Sequence, residues 1–509
     1  MVTSHSDLVP SINQPHSMRF SGSRSIAAGL VAACALAAMA QPAGAQASRG
    51  ALARGTFAIT NVSVVPMTRD TVIADATVLV RDGRIAAVGP AARVRVPDGA
   101  RRIDGRGKWL VPGLADMHSH LFSDDTVTHD SVAPYELGVM VANGVTTTRL
   151  MIGTPEQLTL RADVREGRVL GPQLWVASPQ FTGRPFENAR VVTTPEQARA
   201  AVREVKAAGY DFVKLTLFIT PPVYEAVMDE AAKAGIRVVG HVEMAIGVER
   251  ALALGQPIEH LDSYFEAVLA DSAPSRASVT QYGVFRLDNW RSLDHIDDAK
   301  IARIAGLTAR APGWGKWTSP TLNVFNDAFA IGPTEAEIRA RPEWAMLPPG
   351  FRATYTNARP RYWSAAAAEV RTEARRRRYV EVRNALVKAI ADSGGKVLAG
   401  SDTPEWFHLY GYGLHRELAA LVTAGLTPYQ ALEAATRNPA EFLEASREWG
   451  TIEPGKRADL VLLTANPLAD IRNTTRIEAV SMGGRWLDRA ALDAMIQAAK
   501  QRLNPTGSG

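Results

Sequence analysis

The stretch Leu110-Val-Pro-Gly-Leu-Ala-Asp-Met-His-Ser-His-Leu121 decides the reading of this chain, because an apolar run ends in two histidines one residue apart. In a β-strand the period of two turns His118 and His120 to one face, with Cα atoms roughly 7 Å apart, so both imidazoles can converge on one ion. A helix would point residues two apart to different sides. A lone His-x-His also occurs in loops with no ligand role, so the rest of the chain has to supply further ligands.

Outward from this stretch, residues 113–445 alternate short apolar runs with helical stretches, the pattern of parallel strands joined by helical crossovers. Candidate strands are 113–120, 144–149, 173–179, 211–217, 237–242, 257–263, 317–322 and 397–403. The fold class expected is α/β, a (β/α)8 TIM-like barrel with its active site at the C-terminal ends of the strands. Extra length falls in two insertions, 264–316 and 323–395, which carry Trp290, Trp314, Trp344 and Trp363. A substrate-covering lid, a peripheral helical elaboration and a subunit surface all fit them.

On either side lie β patterns. Residues 57–65 and 77–88 read as strands, with Asp82-Gly83 as a type I′ hairpin signal, and 450–463 and 477–487 repeat the pattern at the other end. Neither half can build a core alone. Both ends of the mature chain are therefore expected to form a small β-sandwich domain, 46–112 with 446–490, leaving 491–509 as a C-terminal tail.

Residues 1–45 read as a targeting signal. From Met18, Arg19 and Arg24 precede an apolar 26–40 and then Ala43-Gly-Ala45, so 18–45 has the layout of a secretory signal peptide with an A-x-A cleavage site. That layout implies export to the periplasm or medium; the apolar run is short and Ala-rich for a membrane span. The one cysteine, Cys34, ends Val31-Ala-Ala-Cys34, which resembles a bacterial lipoprotein box. Lipidation there would tether the protein to a membrane. Cleavage near Ala45 would instead leave a mature chain without disulfides or thiolate metal ligands.

At 509 residues, 46% hydrophobic and 21% charged, the chain is long enough for one large core and a smaller one. The net charge of +5 is spread along it, and the densest basic run, Arg375-Arg-Arg-Arg378, fits a solvated helix face; no nucleic-acid partner is expected.

Polar residues mark the strand ends where a core pattern would place apolar ones. Lys214 stands in Phe212-Val-Lys-Leu-Thr216, His241 ends Val238-Val-Gly-His241, His260 ends Ile258-Glu-His260, and Asp402 ends Ala399-Gly-Ser-Asp402. Singly, each has a bland reading as a hydrogen-bonded rim residue or a snorkelling lysine. Together with His118 and His120 they come from strands one, four, five, six and eight at one end of one barrel.

These residues, with Ala424-Gly-Leu-Thr-Pro-Tyr-Gln-Ala-Leu-Glu-Ala-Ala-Thr436 and Gly450-Thr-Ile-Glu-Pro-Gly-Lys-Arg-Ala-Asp-Leu460, resemble the amidohydrolase superfamily, in its imidazolonepropionase-like and Xaa-Pro dipeptidase-like branch. The resemblance spans nearly the whole mature chain. It implies two divalent metal ions: one held by His118, His120 and Asp402, a second by His241 and His260, with Lys214 bridging as a carbamate formed from carbon dioxide. Nitrogen and oxygen ligands without thiolate suit Zn²⁺, with Mn²⁺, Co²⁺ or Fe²⁺ as alternatives. Two ions about 3.5–4 Å apart would share a bridging hydroxide at neutral pH, with Asp402 as catalytic acid and base. The implied reaction is hydrolysis of a C–N amide bond in a dipeptide or N-acyl amino acid. Cyclic amide or lactone hydrolysis, mononuclear deamination and an inactive binding barrel are the alternatives; Lys214 speaks against the deaminase, and the complete ligand set against the inactive barrel.

The loop Leu215-Thr-Leu-Phe-Ile-Thr-Pro-Pro222 departs from the Gly-rich loop that follows the lysine in many relatives, so no substrate clamp carries over. By position, Arg149, Tyr224, Tyr264, His408 and Tyr410 are substrate-binding candidates. His129, His295 and His415 read as rim or helix residues. The partner expected is a small amide or dipeptide, and a homo-oligomer is compatible with the insertions.

Overall fold

Two pairs of left-handed turn residues show how the chain ends are joined. Asp82 and Gly83 adopt φ 50° and 80°, and Gly483 and Gly484 adopt φ 57° and 82°, the signs that a two-residue type I′ hairpin needs. The turns touch: a Cβ on Gly83 would stand 2.9 Å from the Gly483 carbonyl oxygen. The structure, a computed structural model, describes residues 55–121, 129–185, 189–273, 292–329, 334–347, 352–353, 372–405 and 408–503. Residues 1–45, where a leader is expected, with Cys34, the tryptophans at 290 and 363, and much of both expected insertions lie outside the described residues.

The first hairpin joins β2 (Ile73–Arg81) to β3 (Arg84–Pro90), beside β1 (Phe57–Val64), with β4 (Arg101–Asp104) and β5 (Trp109–Pro112) following. From the other end come β16 (Leu460–Leu463), β17 (Ile477–Met482) and β18 (Arg485–Asp488). They form one eight-stranded sheet in the order β18-β17-β16-β5-β1-β2-β3, with β4 pairing β1. The seam is antiparallel, Val111 opposite Val461. Its apolar layer alternates along the strands as a half-buried sheet requires: Phe57 and Ile59, Val78 and Val80, Leu460 and Leu462.

Between these ends the strands are parallel. They are β6 (Leu114–Ser119), β7 (Val145–Leu150), β8 (Gln173–Val176), the short β9 (Gln180–Thr182) and β10 (Ala189–Val191), β11 (Phe212–Leu215), β12 (Arg237–Gly240), β13 (Ile258–Glu259), β14 (Trp317–Ser319) and β15 (Lys396–Val397). The expected segments overlap β6, β7, β8, β11, β12, β13, β14 and β15 in turn, the last only at Val397, since β15 ends where the segment 397–403 begins. Ladders run β6-β7-β8, β10-β9-β11-β12 and β13-β14-β15. The Ala177–Phe212 and Ser119–Thr403 bridges join the ladders to one another. No ladder pairs β12 with β13 among the described residues; there the Gln256 side-chain amide donates to the Gly240 carbonyl at 3.1 Å. The result is a TIM-barrel-like α/β fold.

The crossover helices start and stop where the sequence says they should. Thr194 caps Pro195–Ala208 by accepting from the Gln197 amide, Pro195 fits the first turn, and Gly209 at φ 88° ends the helix. Its buried residues Ala198, Ala201, Val202 and Val205 follow the helical period. The basic run lies in the helix Glu373–Asp392, where Arg377 pairs with Glu373 and Arg375 with Asp294. Among the described residues no helix is long and apolar enough to cross a membrane.

One element differs from expectation. Residues read as a tail form the helix Arg489–Leu503, with Leu492, Ala499 and Leu503 buried and Met495 and Ile496 packed on the core. That spacing of three and four is an amphipathic stripe; the neighbouring Gln, Lys and Arg residues masked it. Leu492→Ala should cost about 2–5 kcal/mol, read as a lower denaturant midpoint. A shift below about 0.5 kcal/mol would show that this helix does not hold the fold together.

Candidate metal centre

Six polar side chains meet at the C-terminal ends of the parallel strands. His118 is the fifth residue of β6, and its neighbour Met117 donates its backbone N–H to Ala399 at 2.9 Å, which fixes the strand-eight segment beside it. Asp402 then donates its own N–H to the His118 carbonyl at 2.7 Å. Its carboxylate Oδ1 lies 3.3 Å from His118 Nε2 and 3.2 Å from His120 Nε2, and Oδ2 lies 3.7 Å from His260 Nδ1. Ring centroids of His118 and His260 are 4.5 Å apart, those of His241 and His260 4.9 Å. Ligand atoms of His118, His260 and Asp402 all fall within 4.8 Å of one another.

Three of the four imidazoles are held from behind through Nδ1. His118 Nδ1 lies 2.9 Å from Glu259 Oε2, His241 Nδ1 2.7 Å from Asp262 Oδ2, and His260 Nδ1 2.8 Å from Thr321 Oγ1. A carboxylate beside Nδ1 places the ring proton there and leaves Nε2 as the lone-pair nitrogen. His120 differs, since its buried Nδ1 has no hydrogen-bond partner. Burial, reinforced by the neighbouring Lys214 charge, holds His118 well below the ordinary histidine range, and burial brings His260 down to about 3. Both rings are therefore neutral at pH 7.

Lys214 sits in β11 and is buried, its backbone N–H donated to Ser178 Oγ at 3.0 Å. Its stem passes the left-handed Gly240, where a Cβ would come within 2.8 Å of the lysine Cδ and 2.2 Å of the Leu215 carbonyl oxygen. Any side chain at 240 would displace the lysine. Burial lowers the Lys214 pKa to about 8, even though Glu259 and Asp402 nearby oppose it. Asp402 behaves in the opposite way: burial raises its pKa, but its electrostatic interactions with His260, His120 and Lys214 and the His120 hydrogen bond carry it well below the usual carboxylate range.

Behind the histidines lie residues that the sequence reading passed over. Glu259 accepts from Arg149 Nη2 at 2.7 Å, and Arg149 Nε donates to the Met117 carbonyl at 2.6 Å. Asp116 accepts from the His118 and Ser401 amides at 3.3 and 2.9 Å. Burial pushes its pKa up to about 6 against those bonds. The available signal was a carboxylate inside an apolar strand run, as in Ile258-Glu-His260 and Leu114-Ala-Asp116, where only a buried partner makes a charge tolerable.

The five substrate-binding candidates are not gathered at this centre. Arg149 is shut inside the barrel on Glu259, with Phe442 5.3 Å from its guanidinium. Tyr224 OH donates to Gln256 at 2.8 Å, Tyr264 OH pairs with Thr308 at 2.7 Å, and Tyr410 OH donates to Glu136 at 2.9 Å, all buried. His408 Nε2 lies 3.0 Å from Asp327 Oδ2. Their partners are buried or largely buried side chains of the fold. His415 is buried between Thr474 and the Asn143 carbonyl.

A TIM-barrel-like fold with a histidine and aspartate centre at its strand ends defines a class, and comparison with known proteins gives the family. A model of the amidohydrolase family matches residues 109–487, and the chain belongs to that family. Adenine deaminase 3 of Rhizobium meliloti is 24% identical over 436 residues, covering 84% of this chain and 57% of its own length. Imidazolonepropionase of Ralstonia nicotianae is 28% identical over 285 residues, covering 47% of this chain and 65% of its own. The chain thus spans less than two thirds of either. Among solved structures, bottromycin amidohydrolase superposes with a TM-score of 0.68 at 22% identity, covering 89% of this chain and 91% of its own. A Xaa-Pro dipeptidase with methionine bound in its active site gives 0.58 at 19%, covering 85% and 100%. At these identities the structural likeness shows the fold.

Arg149→Met should leave the buried Glu259 carboxylate without its cation, facing His118 Nδ1 alone. The expected cost is about 3–5 kcal/mol of stability, measured by chemical denaturation, together with loss of bound divalent metal by elemental analysis. Full metal content and unchanged stability would show that Arg149 does not support His118.

Proposed function

We propose that this chain is a metal-dependent hydrolase that cleaves the C–N amide bond of a small substrate, a dipeptide or N-acyl amino acid. The observation that carries the reading is the 3.3 Å approach of His118 Nε2 to Asp402 Oδ1. With its proton on Nδ1 facing Glu259, a neutral His118 turns a lone pair toward an ionised carboxylate, an arrangement that a cation between the two would stabilise. The unpartnered buried Nδ1 of His120 agrees with a site built for a group the chain does not itself supply.

The donors fit divalent ions, zinc by preference, since they are imidazole nitrogens and carboxylate oxygens with no thiolate. His118, His120 and Asp402 would hold one ion and His241 and His260 a second, with Lys214 between them. Lys214 is suited to become a carbamate because its lowered pKa enlarges the fraction of neutral amine, the form that adds to carbon dioxide with loss of a proton. When bound, the ions supply Lewis acidity toward the scissile carbonyl and the attacking water.

The remaining chemistry belongs to the chain. Asp402 is ionised, takes the proton of the attacking water and returns it to the leaving nitrogen, which departs as an amine. Glu259 and Asp262 keep the His118 and His241 rings in one orientation while this happens. The leader pattern at 18–45 supports an exported enzyme, periplasmic or secreted, and the sheet built from both ends supports a small second domain beside a closed barrel.

A second reading, deamination of a nucleobase, is favoured by the adenine deaminase likeness over 84% of this chain. Metal-loaded protein assayed against dipeptides, N-acyl amino acids, cyclic amides and adenine separates the two. Release of an amino acid from the first two groups is expected; ammonia from adenine alone would replace the amide reading with the second.

Lys214→Ala should abolish turnover, with partial recovery on adding a short carboxylic acid that occupies the bridge. Asp402→Asn should keep most of its metal and lose about 10²–10⁴ in turnover. A Lys214→Ala protein with full activity and both metals would sink the two-metal arrangement.

A further inference from the structure

The helix Glu373–Asp392 belongs to the stretch 323–395, far from the histidines in sequence, yet one of its side chains reaches the metal centre. Arg383 is 3% exposed; it donates from Nη1 to the His260 carbonyl at 3.0 Å and from Nη2 to the Pro320 carbonyl at 2.8 Å. Its guanidinium carbon stands 4.2 Å from the centroid of the Phe325 ring, and that ring is 5.7 Å from the His260 imidazole. Arg383 forms no ion pair among the described residues. Burying a guanidinium without a carboxylate is costly, and here carbonyl dipoles and an aromatic face take the place of water.

His260 is the ring that most needs support from elsewhere. Nδ1 of His118 and of His241 faces a carboxylate, Glu259 and Asp262, whereas Nδ1 of His260 faces the Thr321 hydroxyl at 2.8 Å. A hydroxyl rotates and can donate or accept, so it holds the ring less firmly than a carboxylate does. Both members of this pair also stand in left-handed backbone, His260 at φ 59° and Thr321 at φ 45°. Residues with side chains leave that region unless their neighbours hold them there. Arg383 grips the chain at both places, on the carbonyl of His260 itself and on the peptide that precedes Thr321.

The geometry points to Arg383 as a positioning residue for His260, one that fixes where this imidazole stands toward the ion it would share with His241. The inference rests on the metal-centre reading above and adds a residue to it. Because both bonds end on backbone carbonyls, Arg383 does not choose which ring nitrogen carries the proton. It sets the backbone of His260 against that of Thr321, and so the ring against the hydroxyl that meets its Nδ1. Without it two strained turns are free to relax, and the ring moves with them. His118, His120 and Asp402 are held by other contacts, so an ion bound there is little affected.

Titration of metal-free protein with Co²⁺, followed by the visible absorbance of the bound ion, tests this without turnover. Arg383→Met keeps the stem and removes the donors; it should weaken one of two Co²⁺ sites by about 10–100-fold and leave the other within about three-fold. A merely structural arginine would lower the denaturation midpoint but leave both affinities of the folded protein unchanged, and that result overturns the inference. The His260→Ala background separates the roles further: there Arg383→Met should change Co²⁺ affinity by less than about two-fold, because the ring it positions is gone. An equal loss with and without His260 would also overturn it. Should Arg383→Met fold poorly, Arg383→Lys, which cannot span both carbonyls, is read in the same way, and unchanged affinities count against the proposal. Native protein that takes up no Co²⁺ would remove the metal centre and this inference together, whereas native protein that binds both ions and cleaves no amide would fail the hydrolase reading alone.

Discussion

Glu259 is fixed between a guanidinium and an imidazole in a place that water does not reach, and the site depends on that arrangement. Arg149 comes from β7, Glu259 from β13, His118 from β6, and Asp402 from the segment that follows β15. Strands β7, β13 and β6 are thus tied through the barrel interior by polar contacts of 2.7 and 2.9 Å, and the Asp402 N–H, donated to the His118 carbonyl at 2.7 Å, adds the segment after β15. A buried ion pair of this kind adds little to stability over an apolar replacement, but losing one partner leaves a charge with nowhere to go. Its value lies in register, since each strand must stop where its polar residue meets the next.

The strand ends also hold backbone in the left-handed region. His260, Leu261 and Ser263 adopt φ of 59°, 59° and 61°, Thr321 45°, Phe218 66° and Asp402 52°. Residues with side chains rarely rest there, and each costs of order 1–3 kcal/mol. The neighbours that hold them are already in place: the His260 N–H is donated to Ser319 and the Arg383 guanidinium binds the His260 and Pro320 carbonyls. The histidine and aspartate are placed by turning the chain sharply at the top of each strand, and the framework bears the cost.

Much of this could be read from sequence because it depends on period. Alternation located the strands, the His118 and His120 spacing marked a shared face, and Asp82-Gly83 announced its hairpin. What escaped depends on partners distant in sequence. Arg149 looks like a clamp at a strand end until Glu259, 110 residues later, is known to lie opposite it. Tyr224, Tyr264 and Tyr410 carry hydroxyls that face the core, which a strand-end position does not disclose. The helix Arg489–Leu503 was masked for another reason: its apolar stripe is narrow, and only the surface it covers shows it to be a structural element.

The sheet that joins both ends of the chain sets an order of events during synthesis. β5 needs β16 on one side, and Val111 meets Val461 only after the barrel sequence between them has been made. Until then the nascent amino-terminal hairpins present an open edge, a template for pairing with other chains. The protein must stay unfinished until its last strands emerge, and a chain cut short before β16 would have a barrel sequence but no clasp to close it.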